Sequence, residues 1–222
     1  MLSNDIVTWG LMRRLLYQHL GLVFSSVSMG WVVAMIVGVW ATRPKRRNGA
    51  FPEMLVRLLS LGQAIPSLAV LGLVMALFGI GFPTAIVALV LYALVPMLRN
   101  IVSGLTEVDE WVLDAARGMG MSKSAVLWKV EFPLALPAMM AGLRTAVVVT
   151  VSTAALSSQI GGGGFGRLIF MGIAMMDTGL MFMGALPTAV IAIGLDFALG
   201  RMERSLVGRR RMEQLPDRKS VV

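Results

Sequence analysis

Long apolar runs alternate with short polar segments along this 222-residue chain. Residues 20–41 and 58–78 contain no charged side chain. As an α-helix, either run is long enough to cross the roughly 30 Å hydrocarbon core of a bilayer. The pattern therefore predicts transmembrane helices rather than the core of a soluble protein.

The apolar runs predict about five membrane-spanning helices in an all-α, polytopic bundle. The predicted spans are residues 20–41, 55–78, 82–100, 137–158 and 179–199. They divide the chain into an external segment 1–19, a membrane domain 20–206 containing a long polar loop 106–133, and a tail 207–222. An odd number of spans places the two termini on opposite sides of the membrane.

The basic residues predict which side each loop occupies. Lysine and arginine follow spans one, three and five, at positions 43–47, 117–129 and 201–211, whereas the opposite face receives only Arg13, Arg14 and Arg167. The positive-inside rule then places the N-terminus outside and the C-terminus in the cytoplasm. We expect a multi-pass membrane protein.

Composition narrows the chemistry further. The chain has no cysteine and one histidine, so we expect neither a disulfide framework nor a cysteine or histidine metal cluster, and no cofactor. The net charge is +8, but the basic residues flank apolar runs and form no continuous patch, so nucleic acid is not an expected partner. Membrane lipid is the expected surrounding.

The polar loop after the third span has the pattern of an amphipathic helix. Apolar residues at helical spacing alternate there with charged ones, from Val108 to Met119. Gly118 and Gly120 predict the end of this helix, Ser122 predicts the cap of a second one, and Pro133 predicts its end. We expect a folded helix–glycine turn–helix unit. A loop that merely lies on the membrane surface is the alternative.

Residues of this loop resemble the EAA motif of ABC importer permeases, in which Glu-Ala-Ala precedes a glycine and a later Ile-x-Leu-Pro. The matching residues are Asp114-Ala115-Ala116, Gly120 and Val130-Glu131-Phe132-Pro133. The resemblance implies a MetI-like type I importer fold in which residues 106–133 dock on a separate ATP-binding subunit. The implied coupling residues are Asp114, Ala115, Ala116, Gly118, Gly120, Ser122, Val130 and Pro133.

Segments outside the loop are similar to the osmoprotectant branch of that family. They are Gln63-Ala64-Ile65-Pro66-Ser67, Gly79-Ile80-Gly81, Leu98-Arg99-Asn100 and Gly118-Met119-Gly120-Met121-Ser122. The branch imports glycine betaine, choline and carnitine with an extracytoplasmic solute-binding protein and a second permease, identical or related. A permease for methionine or another small solute is the alternative within the family. A secondary transporter or small channel, independent of any ATPase, is the alternative outside it.

Two groups of residues are candidates for the solute route. Hydroxyl and amide side chains within apolar helices either line a polar pathway or bond to backbone carbonyls of their own helix. The candidate lining residues are Gln63, Ser67, Thr150, Thr153, Ser157 and Gln159. The glycine-rich segment after span four resembles an external gate loop of such permeases, with Gly161, Gly162, Gly163, Gly164 and Gly166.

The glycine run does not predict a nucleotide site. A phosphate-binding loop of the Walker type continues with Lys-Ser or Lys-Thr, whereas Gly166 is followed by Arg167 and Leu168. No nucleophile paired with a base is apparent either, because the single histidine, His19, is expected to be solvated at the membrane interface. We therefore expect a transport subunit rather than an enzyme.

Ionisable and proline residues within the spans have structural interpretations. Arg144 and Asp196 are predicted to lie near the same membrane face, where a structural ion pair is favoured over a proton relay. Pro66, Pro96 and Pro187 free backbone carbonyls inside spans, which favours helix kinks.

Overall fold

The computed structural model describes residues 8–43, 51–62 and 64–213, except for the side chains of residues 53 and 206–213. All regular elements in this described part are helical, as the sequence predicts. The helices are α1 (Trp9–Ala41), α2 (Phe51–Gly62), α3 (Ser67–Phe78), α4 (Phe82–Thr106), α5 (Glu110–Gly118), α6 (Lys123–Val126), α7 (Phe132–Leu156), α8 (Gly166–Met175) and α9 (Thr178–Glu213). A π-helical turn, Leu127–Glu131, joins α6 to α7, and a 3₁₀ turn, Ser157–Ile160, follows α7.

Four helices of the described residues are long and apolar enough to cross a membrane. They are Trp9–Ala41, Phe82–Thr106, the continuous helix Lys123–Ile160, and Thr178–Ser205. A fifth span is present if the bent pair of α2 and α3 is counted as one. The bundle therefore agrees with the predicted architecture, although several helix limits differ.

The predicted second span is not one helix. Helices α2 and α3 meet at an angle of 90°, so the predicted span 55–78 is broken close to Pro66, where a kink was expected. Pro66 has φ −57° and ψ 134°, which is extended backbone, and directly precedes α3. Proline has no N–H to donate and disfavours helical geometry in the residue before it, so the chain must leave the helix here. Pro96 and Pro187, by contrast, lie inside α4 and α9 without ending them.

Helix α1 begins earlier than the predicted residue 20. The Thr8 hydroxyl accepts a hydrogen bond from the Leu11 N–H at 3.3 Å and caps the helix. A 33-residue helix is about 50 Å long, which exceeds the thickness of the hydrocarbon core. His19 consequently lies inside α1 and is fully buried, so its predicted solvation was wrong.

Helices α1, α4 and α7 form the centre of the bundle. Glycine permits close contact where these helices cross. A Cβ at Gly142 of α7 would clash with α4, because it would lie 2.6 Å from the Asn100 Cβ. A Cβ at Gly104 of α4 would lie 2.8 Å from the Ala138 Cβ of α7. Since lipid tails are as apolar as leucine, such helices associate chiefly through close packing of small residues. The α4–α7 contact is therefore fixed at its two glycines.

An ion pair joins α7 to α9. The Arg144 guanidinium donates to both carboxylate oxygens of Asp196, at 2.6 and 2.8 Å, and its Nη1 lies 3.7 Å from a Glu203 oxygen. The bidentate geometry fixes the orientation of both side chains. The predicted pairing of Arg144 with Asp196 is confirmed.

Candidate functional site

The first half of the 106–133 loop is α5, and local side chains define its two ends. At its start the Asp109 carboxylate accepts a hydrogen bond from the Trp111 N–H at 2.9 Å. Helix α5 ends at Gly118, and Gly120 has a φ of +79°, a conformation that side chains other than glycine rarely adopt. The predicted glycine turn is confirmed.

The second half of the loop differs from its prediction. Ser122 caps α6 by accepting a hydrogen bond from the Ala125 N–H at 3.2 Å, as expected. The chain then passes through the π-helical turn directly into α7, so the predicted helix end at Pro133 was wrong. Pro133 lies in the first turn of α7, where a missing N–H is tolerated because the widened turn already interrupts the regular α-helical hydrogen bonds.

The loop has a small hydrophobic core of its own. Its buried members are Val108, Leu113, Ala116 and Val126, with Met121 and Val130 packed against them. Two predicted coupling residues, Ala116 and Val130, therefore help to hold α5 against α6 and the π-helical turn. The loop is a folded unit that can act as one body.

The outer side of α5 presents an apolar face to the surroundings. Trp111 is 83% exposed and Met119 is 77% exposed, with Ala115 exposed between them at a spacing of four residues. Trp128 of the π-helical turn is also exposed. We call Trp111, Ala115, Met119 and Trp128 the docking face. Large apolar side chains grouped on a surface typically mark a contact with another macromolecule or a membrane.

The remaining coupling candidates flank the docking face. Asp114 pairs with Arg117 at 2.8 Å within α5, and both side chains are exposed. A Cβ at Gly118 or Gly120 would meet no other atom within 4 Å, so these glycines leave the surface open. An incoming backbone or side chain can therefore approach the turn closely.

The predicted pathway residues have different surroundings. Thr150, Thr153 and Ser157 are buried, and their hydroxyls donate to carbonyls of their own helix at 2.7, 2.8 and 2.8 Å. Gln159 is exposed and Ser67 is partly exposed. Gln63 lies outside the described residues. Of the four candidates on α7 and the turn after it, Gln159 alone faces outward in the described chain.

Exposed polar residues outside the set of six candidates lie on the same helix. Thr145 and Ser152 are exposed, and together with Gln159 they recur at every seventh position. Seven residues are close to two helical turns, so these side chains share one face of the continuous helix. Sorting the polar residues by helical period would have separated this exposed set from Thr150, Thr153 and Ser157. We call Thr145, Ser152 and Gln159 the polar stripe.

The glycine-rich loop contacts several helices through hydrogen bonds and close packing. Gly161, Gly163 and Gly164 have φ values of +85°, +78° and +72°. The Gly164 N–H donates to the Gln18 Oε1 of α1 at 3.2 Å, and a Cβ at Gly164 would lie 3.0 Å from the His19 Nδ1. At its start, the Ile160 carbonyl accepts from the Gly81 N–H at 2.9 Å. The loop therefore links α1, the turn before α4, and the end of the continuous helix.

Comparison with known proteins agrees with this architecture. Residues 34–208 match the family described as "Binding-protein-dependent transport system inner membrane component". The chain is 36% identical over 201 residues to the choline transport system permease protein OpuBB of Bacillus subtilis, covering 90% of this chain and 91% of the relative. It is 38% identical to the carnitine transport permease protein OpuCB of Listeria monocytogenes, covering 86% and 85%.

A further relative and a solved structure extend the comparison. The osmoprotectant import permease protein OsmY of Salmonella typhimurium is 40% identical over 189 residues, covering 85% of this chain and 79% of the relative. The fold matches an inward-facing conformation of the MetNI methionine ABC transporter with a TM-score of 0.77 and 24% identity, covering 88% of this chain and 96% of the other. That structure supports the fold.

The packing of the glycine loop makes a specific prediction about stability. Gly164→Ala combines an unfavourable positive φ with a close approach to His19, whereas Gly120→Ala has a similar φ of +79° and no atom within 4 Å. Both variants incur about 1–2 kcal/mol of backbone strain. We expect the Gly164 variant to show the lower thermal midpoint in detergent. Equal midpoints would show that the loop is not held against α1 in the way described.

Proposed function

The chain belongs to the binding-protein-dependent transport system inner membrane components, and we propose that it is the permease subunit of an ATP-driven importer of quaternary-ammonium osmoprotectants. Members of this family are transport subunits rather than enzymes. The observation that carries the proposal is the docking face on a self-contained loop. A separate ATPase would bind this face, and its conformational changes would move the membrane helices through the loop.

The docking face suits a protein groove better than lipid. Helix α5 is short, and its apolar side chains are bordered by the exposed charges of Asp114 and Arg117. An amphipathic helix that inserts an apolar side into a groove uses anchors at such i, i+4 spacing. The positive-inside pattern predicts a cytoplasmic position for this loop, where an ATP-binding subunit could reach it.

The relatives support the class of solute. Proteins named for choline, carnitine and osmoprotectant transport are 36–40% identical to this chain over most of its length. The methionine transporter resembles it at 24% identity, which supports the fold without the solute. We therefore favour glycine betaine, choline and carnitine over methionine, delivered by an extracytoplasmic binding protein.

The polar stripe is the best candidate for the solute route. Thr145, Ser152 and Gln159 are uncharged, so no fixed positive charge on this stripe repels a quaternary ammonium. The Thr145 and Ser152 hydroxyls donate to carbonyls of their own helix at 3.0 and 3.2 Å, and their oxygens can still accept hydrogen bonds from water. Exposed polar side chains on a spanning helix are more favourable beside a water-filled route than against lipid. We propose that a second permease, identical or related, faces this stripe and completes the pathway.

A charge on the docking face tests the coupling role. Ala115→Glu places a carboxylate between Trp111 and Met119, and we expect ATPase copurification with the permease to fall at least about tenfold because an unpaired charge would be buried on docking. Met202→Glu puts the same charge at an exposed apolar position of α9 and is the matched control. Unchanged association for Ala115→Glu in correctly inserted protein would refute docking through this face.

The solute assignment is tested by uptake into proteoliposomes. The permease is reconstituted with the ATPase and binding protein from adjacent reading frames, and glycine betaine, choline, carnitine and methionine are compared. We expect ATP-dependent uptake of at least one quaternary amine and none of methionine. Uptake of methionine alone would show that methionine, and not a quaternary amine, is the solute. Uptake without any ATPase would show that the protein is a secondary transporter or a channel.

The route is tested on the polar stripe. Ser152→Leu replaces an exposed hydroxyl with a larger apolar group, and we expect at least about a tenfold lower uptake with unchanged ATPase association. Val190→Leu enlarges an exposed apolar residue of α9 by one methylene and serves as the control. Wild-type uptake by the Ser152 variant would place the route elsewhere.

A further inference from the structure

An acidic residue of the loop is directed inward. Glu131, the last residue of the π-helical turn, is 8% exposed, whereas Asp109, Glu110 and Asp114 of the same loop are exposed. A buried carboxylate is unfavourable unless a positive charge compensates it. Among the described residues Arg43 approaches it, and the Arg43 Nη2 lies 3.8 Å from the Glu131 Oε2.

Arg43 belongs to the end of another helix. It follows the C-cap of α1, and its Nε donates to the Val39 carbonyl at 2.9 Å. The neighbouring Thr42 hydroxyl donates to the Gly38 carbonyl at 2.9 Å. These bonds fix the guanidinium to the last turn of α1, so a force on Arg43 acts on that helix.

The contact with Glu131 is not fully formed. The Arg43 Nη2 is buried and makes no hydrogen bond within the described residues, and 3.8 Å exceeds a hydrogen-bonding distance. A buried donor without a partner is unfavourable. The two groups therefore gain from moving closer together, and the pair has room to shorten in another conformation of the protein.

The position of Glu131 connects the loop to α1. Its neighbour Val130 packs against the hydrophobic core of the loop, while Glu131 faces Arg43. A displacement of the loop as one body must change the distance between the two charges. Unlike the contact of α5 with α6 inside the loop, this pair crosses from the loop to a membrane helix.

We propose that Arg43 and Glu131 are a positioning pair that transmits movement of the ATPase-docked loop to α1. The inference rests on the proposed docking of an ATPase on this loop. Loop displacement changes the separation of the charges and moves the end of α1 with it. Through the contacts of Gln18 and His19 with the glycine-rich loop, α1 also reaches the opposite end of the bundle.

An exchange of the two charges tests the pair. Arg43→Glu and Glu131→Arg are compared, singly and together, in the reconstituted complex, by measuring ATP hydrolysed per solute imported. We expect each single variant to raise this ratio at least about fivefold and the double variant to return within about twofold of wild type, because the exchange restores opposite charges at the two positions. Arg204→Glu makes the same charge change at an exposed position of α9 and should leave the ratio unchanged.

A second experiment uses the absence of cysteine from the sequence. With Arg43→Cys and Glu131→Cys together, a short reducible thiol cross-linker should stop uptake while the ATPase stays bound, and a reductant should restore it. If a charge-reversed single variant fails to insert, Arg43→Gln and Glu131→Gln preserve size and replace it. Each of these two glutamine variants is also expected to raise the amount of ATP hydrolysed per solute imported.

The outcomes separate this inference from the proposed function. A wild-type ratio in all single variants, or uptake that persists after cross-linking, overturns the positioning role while ATPase docking stands. Single variants that lower thermal stability but keep the wild-type ratio also overturn it, because the pair is then structural. Failure of the wild-type chain to bind an ATPase overturns the proposed function itself.

Discussion

Close packing between α4 and α7 positions the surfaces proposed for ATPase docking and for the solute route. At Gly104 and Gly142 the two helices approach to distances that leave no space for a side chain. In a bilayer, where burying apolar surface gives little preference for protein over lipid, this fit is the main attraction between the helices. The 106–133 loop connects the end of α4 to the start of α7, so the same packing fixes both of its ends.

Helix α7, whose position is fixed by this packing, extends from one side of the membrane to the other. With α6, the π-helical turn and the 3₁₀ turn it forms one continuous helix, Lys123–Ile160, of about 57 Å. The docking loop is at its start, the polar stripe runs along it, and the glycine-rich loop follows its end. A rigid element of this length can couple the three regions, because a tilt at one end displaces the other.

The sequence predicted the helical class, the number of spans and the glycine turn of the loop, because apolar run length and glycine have strong local effects. It predicted a kink at Pro66, where the chain does leave the helix, but also a helix end at Pro133, where the helix continues because proline is tolerated in the first turn of a helix. It also grouped Thr150 and Thr153 with Gln159, although helix packing buries the two threonines. Burial depends on neighbouring helices, which local sequence does not specify, and His19 was missed for the same reason.

Two of the connections between the loop and the bundle, those to α7 and to α1, differ physically. Toward α7 the π-helical turn makes a covalent and helical continuation, which transmits rotation and tilt directly. Toward α1 the described contact at Glu131 is electrostatic, 3.8 Å long and incompletely hydrogen-bonded. A covalent connection responds to every displacement, whereas an ion pair weakens or strengthens with distance and can therefore distinguish two conformations. A loop that moves α7 continuously and engages α1 in only one state would shift the two sides of the bundle unequally, as alternating access requires.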